Sequence, residues 1–153
     1  MKNKMIRVRL AALPLALAAA WPVCAQSVLQ DVVVTATRLA GPREAQPFGT
    51  DVISADDIQK SGATTVNEAL MRILGVVGRQ DNYGGGNYAL DLRGFGTTAD
   101  SNQVVVVDGV RINEADLSAT RLAGIPIESI AQIEVIRGSG AVLYGEGATG
   151  GVI

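Results

Sequence analysis

The 153-residue chain has no histidine, and its one cysteine, Cys24, stands near the N-terminus. A zinc, haem or copper centre therefore has almost no ligands to draw on. Hydrolytic chemistry lacks its usual base, and no G-x-S-x-G elbow occurs. Asp81, Asp91, Asp108 and Asp116 are too scattered to imply a catalytic carboxylate pair, and no calcium-loop spacing is present. Gly138-Ser139-Gly140 follows a strand-like run, but Leu143 stands where a dinucleotide fingerprint needs its third glycine. No Gly-Lys-Ser/Thr phosphate loop exists either. Neither an enzyme nor a cofactor-bound protein is expected.

Aromatic residues are also scarce, at 4%. Beyond Trp21 they are Phe48, Tyr83, Tyr88, Phe95 and Tyr144, so the core has to come mainly from Val, Ile, Leu and Ala. The apolar run Leu10 to Ala20 is too short to span a bilayer comfortably, which takes about 20 residues. It follows the basic Lys2, Lys4, Arg7 and Arg9 and precedes Val23-Cys24-Ala25, the arrangement of a secretory signal peptide cleaved before Gln26. Residues 1–25 are thus set apart as an export leader. The rest holds nine basic against fifteen acidic residues, a formal charge of −6. That disfavours nucleic acid and anionic membrane surfaces as partners.

What is present begins with Asp31-Val32-Val33-Val34-Thr35-Ala36-Thr37-Arg38, five of whose eight residues are β-branched and so favour an extended backbone. Nothing nearby offers it a tight turn, since Leu39 to Gln46, with Gly41 and Pro42, reads as a flexible linker. A strand without a local partner either pairs with something distant or adds to the sheet edge of another protein.

From 47 to 153 strands and short helices interleave. Phe48 to Ile53 reads as a strand, Ser54 as the cap of a short helix ending at Gly62, and Thr65-Val66-Asn67-Glu68 as a capping box for a helix stopping at Gly75. Val76 to Arg79, Tyr88 to Arg93, Gln103 to Val107, Val110 to Ile112 and Ile133 to Ile136 read as strands, with Asp108-Gly109 as a hairpin turn. Helical turns are expected at 126–130 and 141–144. The fold class is α+β, a small mixed sheet with interspersed short helices.

Five motifs in order carry a resemblance to the TonB-dependent outer-membrane receptor family, specifically to its signal peptide, TonB box and plug domain. Asp31 to Ala36 resembles the TonB box. Leu92-Arg93-Gly94, Val106 to Arg111 and Ile133 to Gly138 resemble the internal plug signatures, and Tyr144 to Ile153 the terminal one. Ser139 departs from the family, which commonly has proline there. The resemblance implies three parts: 1–25 signal peptide, 26–46 TonB box and linker, 47–153 plug.

It also implies a plug inside an outer-membrane barrel of about 22 strands, with its N-terminus facing the periplasm. The ligand would be a scarce nutrient such as an iron–siderophore complex or cobalamin. By that resemblance Asp31, Val32, Val33, Val34, Thr35 and Ala36 would donate a strand to TonB, which works with the inner-membrane ExbB–ExbD complex. Arg93 and Arg137 would meet glutamates of the barrel wall. Tyr83, Asn87, Tyr88 and Asn113 would face the ligand. No barrel segments follow Ile153 here, so the chain by itself is expected to be a fragment without transport activity. The rival reading is a free periplasmic plug-like binding or signalling module.

Overall fold

The computed structural model describes residues 32–33, 41–42, 49–82, 84–113 and 118–153. Its centre is a four-stranded sheet in the order β3 (Thr50–Ser54), β9 (Gln132–Ile136), β10 (Gly151–Val152), β6 (Gln103–Val104). β3 and β10 run antiparallel to β9, and β6 runs parallel to β10. Three two-stranded ladders accompany it: β1 (Val32–Val33) with β2 (Gly41–Pro42), β4 (Val77–Gln80) with β5 (Tyr88–Asp91), and β7 (Val106–Val107) with β8 (Val110–Arg111). The α-helices are α1 (Ala55–Ser61), α2 (Val66–Leu74) and α3 (Ala141–Tyr144), and the longest 3-10 segment is Gly96–Asn102. Among the described residues no helix is long and apolar enough to cross a membrane.

Local chemistry places these elements. The Ser54 hydroxyl accepts from the Asp57 N–H at 3.2 Å, and the Asp57 carboxylate accepts from the Ser54 N–H at 3.2 Å, closing a capping box that starts α1. Gly62 ends it in a left-handed conformation, φ 63°. α2 departs from expectation in one detail. Thr65 caps it, but Glu68 reaches one residue further back, to the N–H (2.8 Å) and hydroxyl (3.0 Å) of Thr64.

The sheet's two faces bury different partners. Ile53, Ile133 and Val135 face α1 and α2 and pack with Ile58, Val66, Ala69, Leu70, Leu90, Leu92 and Leu122. Val104, Ile136 and Val152 face the other way, with Ala148 and the partly buried Tyr144. The largest fully buried side chains are aliphatic, among them Ile53, Leu70, Leu90 and Ile136. Each such side chain contributes about 1.5–3 kcal/mol when fully buried. The sheet is thus a thin apolar slab covered on both sides.

The apolar run 103–107 is not one strand. Val105 interrupts it: its N–H donates to the Asn113 Oδ1 at 2.8 Å, and its carbonyl accepts from the Ile112 N–H at 2.9 Å. A side-chain amide thereby stands in for a backbone rung, and the β7–β8 hairpin continues from the central sheet through this splice. The hairpin turns at Asp108 (φ 48°) and Gly109 (φ 84°), both left-handed, as a two-residue Asp-Gly turn requires.

Candidate functional site

The N-terminal strand has a local partner after all. Val32 pairs with Pro42 and Val33 with Gly41, antiparallel, so the expected linker supplies the second strand. Pro42 fits because proline is tolerated on an edge strand. The ladder is two residues long. Asp31, Val34, Thr35 and Ala36 lie outside the described residues, so of the expected strand donor only the Val32–Val33 backbone is seen.

The two Arg-Gly turns are built differently. After β5, the Asp91 carboxylate collects four successive backbone N–H groups. Its Oδ1 accepts from Arg93 (3.1 Å), Gly94 (2.7 Å) and Phe95 (3.0 Å), and its Oδ2 from Gly96 (2.7 Å). Partial desolvation pushes this carboxyl upward, but the four donors outweigh it and hold the group below the usual carboxylate range. The chain therefore leaves the strand at Asp91, two residues earlier than the alternation of 88–93 suggests. The Arg93 side chain is exposed, with one long contact from its Nη1 to the Thr149 carbonyl at 3.4 Å.

Arg137 follows β9 and is half-buried, with 34% of its side chain exposed. Its Nε donates to the Asp51 Oδ2 at 2.9 Å, and its Nη2 to the Leu74 carbonyl at 2.9 Å. Its backbone N–H donates to the Gly49 carbonyl at 2.9 Å. One residue thus joins β3, β9 and the C-terminus of α2, where an arginine also suits the negative helix end. The partners seen for Arg93 and Arg137 are within the chain.

Between the two turns lies Gly151. A Cβ there would strike the Ile136 carbonyl on one side and the Leu92 side chain at 2.7 Å on the other. At the neighbouring Gly150 it would meet the Asn102 carbonyl at 2.6 Å and the Phe95 ring at 3.1 Å. Gly150 and Gly151 are therefore required by the close approach of β10 to the residues around both turns.

The expected ligand-facing residues do not gather round one cavity. Tyr83 lies outside the described residues. The Asn87 Oδ1 accepts from the Ala123 N–H at 3.3 Å, tying the 84–87 turn to the 3-10 segment at 122–124. Tyr88 is part-buried against the main core. Asn113 is committed to the splice, its Nδ2 donating to the Gln103 carbonyl (3.0 Å) and the Thr120 hydroxyl (3.4 Å). A cavity of about 450 Å3 lies instead between the β7–β8 hairpin and β9, lined by Val106, Val107, Leu122, Ile125, Ile133 and Ile153 among others, and by none of these four.

Three structural residues escaped the sequence reading. Asp91 is weighed in the sequence only as one of four scattered aspartates, and Asp51 is not singled out at all; an aspartate two positions before Arg-Gly is the available signal for the first. Asn67 sits inside α2's first turn, fully buried, with its Nδ2 donating to the Gly86 carbonyl at 3.1 Å. Its Oδ1 has no partner among the described residues. Nothing in the local sequence separates it from an exposed helix residue. Among the described residues no cluster of three or more His, Cys, Asp or Glu could hold a metal ion.

Known proteins share this architecture. The family model "TonB-dependent Receptor Plug Domain" matches residues 42–152. The Pseudomonas aeruginosa receptor FpvA, solved with a ferric pyoverdine, superposes with a TM-score of 0.64 at 19% identity, over 79% of this chain and 15% of that one. The ferric enterobactin receptor PfeA of the same species, solved with enterobactin, gives 0.47 at 26% identity over 68% of this chain and 16% of its own. The chain spans about one sixth of the length of these receptors. With a family match across more than two thirds of its length and the matching fold, the chain belongs to the TonB-dependent receptor plug-domain family.

Proposed function

We propose that this chain is the plug portion of an outer-membrane receptor for energised uptake of a ferric siderophore. The carrying observation is the family match over residues 42–152, joined to a plug fold whose Arg-Gly turns, Gly150 and Gly151 are physically accounted for. The choice of ligand class rests on FpvA and PfeA, solved with a ferric pyoverdine and with enterobactin; cobalamin has no such support here. Transport itself needs the barrel of the whole receptor, through which the plug gates passage. Export by the leader 1–25 brings the plug to the outer membrane with its N-terminus in the periplasm.

In this reading residues 31–36 supply a strand to TonB, and backbone hydrogen bonds carry much of the affinity. The short β1–β2 ladder shows that Val32 and Val33 accept strand pairing. Arg93 is the better candidate for a barrel carboxylate, being exposed, whereas Arg137 already holds Asp51. Tyr83, Asn87, Tyr88 and Asn113 stay as candidates for the ligand side, with Asn113 the weakest because its amide is spent.

The test is a titration of the mature protein against the periplasmic C-terminal domain of TonB. Val34→Pro removes one backbone donor and is expected to abolish binding while the circular dichroism of the plug stays unchanged. Equal affinity of the variant and the parent refutes the strand-donor role. Uptake of iron-55 on pyoverdine- and enterobactin-type chelates by cells bearing the full receptor tests the ligand class.

A further inference from the structure

Among the largest fully buried side chains of the described residues, Asn67 is the polar one, in the first turn of α2. Its Nδ2 donates to the Gly86 carbonyl at 3.1 Å, and its Oδ1 has no partner among the described residues. A buried amide that leaves its oxygen unpaired costs more than its single bond returns. A leucine, of the same branched shape, would serve the core better. The core therefore does not account for Asn67, and its one bond points to where it acts.

That place is the tip of the β4–β5 hairpin. Gly84, Gly85 and Gly86 are all left-handed there, at φ 72°, 69° and 76°, and a run of glycines has little preference of its own for one shape. The bonds within the turn are long, 3.2 Å from the Gly84 N–H to the Asp81 carbonyl and 3.4 Å from the Asn87 N–H to the Gly84 carbonyl. Two side-chain amides hold the tip to its neighbours: Asn67 from α2, and Asn87 by accepting from the Ala123 N–H at 3.3 Å. The linkage continues along the chain. The Leu122 N–H donates to the Thr120 carbonyl at 2.8 Å, and the Thr120 hydroxyl accepts from the Asn113 Nδ2 at 3.4 Å. Asn87 and Asn113, expected on the ligand side from separate loops, are thus joined through the 3-10 segment at 122–124. We propose that Asn67 is a positioning residue for ligand recognition, fixing the β4–β5 tip against this segment so that the two loops offer one preformed face. Preforming it spares the ordering cost that a free glycine loop would add on binding. The inference rests on the reading that these residues face the chelate.

Amide hydrogen exchange and chelate binding of the full receptor test it, comparing parent, Asn67→Leu and Asn67→Ala. Asn67→Leu keeps the branched shape and removes the bond. Without ligand it is expected to speed exchange at 85–87 by roughly three- to tenfold, leaving 132–136 unchanged. Its Kd for ferric enterobactin or ferric pyoverdine, whichever the parent binds, is expected to rise by a similar factor. Asn67→Ala, which adds no bulk, should reproduce both effects, so a leucine variant that fails to fold does not decide the outcome. Unchanged exchange at the tip overturns the proposal. Equal acceleration at 132–136 also overturns it, because Asn67 then only supports the core. So does faster tip exchange with an unaltered Kd, since the tip is then held without serving recognition. A parent that binds neither chelate refutes the ligand reading, and the proposal with it, before any variant is compared.

Discussion

Arg93-Gly94 and Arg137-Gly138 look alike in the sequence, each an arginine and glycine closing a strand, yet one turn is made by a carboxylate and the other by an arginine. At the first, Asp91 gathers four backbone N–H groups and leaves the arginine on the surface. At the second, Arg137 reaches inward to Asp51 and Leu74. The same dipeptide thus presents a cation in one place and consumes it in the other. The lesson is that an Arg-Gly signature marks a strand end and leaves the fate of its charge to whatever acceptor the fold brings near.

The strongest way to break both turns together is at the residue they share. Gly151→Ala drives a Cβ into the Ile136 carbonyl and the Leu92 side chain, at a backbone position that disfavours a side chain, φ 146°. The expected cost is about 3 kcal/mol or more, seen as a large drop in the urea midpoint. Next comes Asp91→Ala, which leaves four N–H groups to find water; three are on exposed residues and the fourth on half-buried Phe95, so about 1–3 kcal/mol is expected. Asp91→Asn separates the roles of shape and charge, because its Nδ2 would face the Gly96 N–H, and it should lose more than half of that amount.

The turns should also differ in their response to acid. The Asp91 carboxyl is depressed in the folded state, so its contribution is present in full above the unfolded value, about 3.9, and disappears as pH falls through the lower folded value. A urea midpoint followed from pH 5 to pH 2 should fall more steeply in the parent than in Asp91→Asn. Equal slopes would show that the four N–H groups are not held by charge. The smallest effect is expected at Arg93→Gln, within about 0.5 kcal/mol for an exposed side chain with one long contact. In the full receptor the same change should impair uptake if Arg93 meets the barrel, which sharpens the contrast with Arg137.

Much of the local structure was legible because it depends on neighbours in the chain. Ser54 with Asp57, Thr65, Gly62 and Gly75 marked both helices, and Asp108-Gly109 marked the hairpin. Capping and turn chemistry act over three or four residues, so a linear reading reaches them. The five ordered motifs were enough to point to the plug family. The splice at Val105 was not legible, since its rung comes from the side chain of Asn113, eight residues away. The 3-10 segment at 96–102 carried no cap or periodic signal of its own.

What the sequence alone determined is therefore the two capped helices, the Asp108-Gly109 hairpin, the aliphatic core and the family. Backbone propensity, capping and apolar periodicity are properties of short windows and survive without a fold. Tertiary structure decided where the charges and tight contacts went: Asp51 onto Arg137 across 86 positions, Arg137 onto the end of α2, and Gly151 between Ile136 and Leu92. Such partners lie far apart in the chain, and only the antiparallel register of β3 and β9 and the insertion of β10 bring them within 3 Å. A lone aspartate or glycine carries no mark of a neighbour that the fold has yet to deliver.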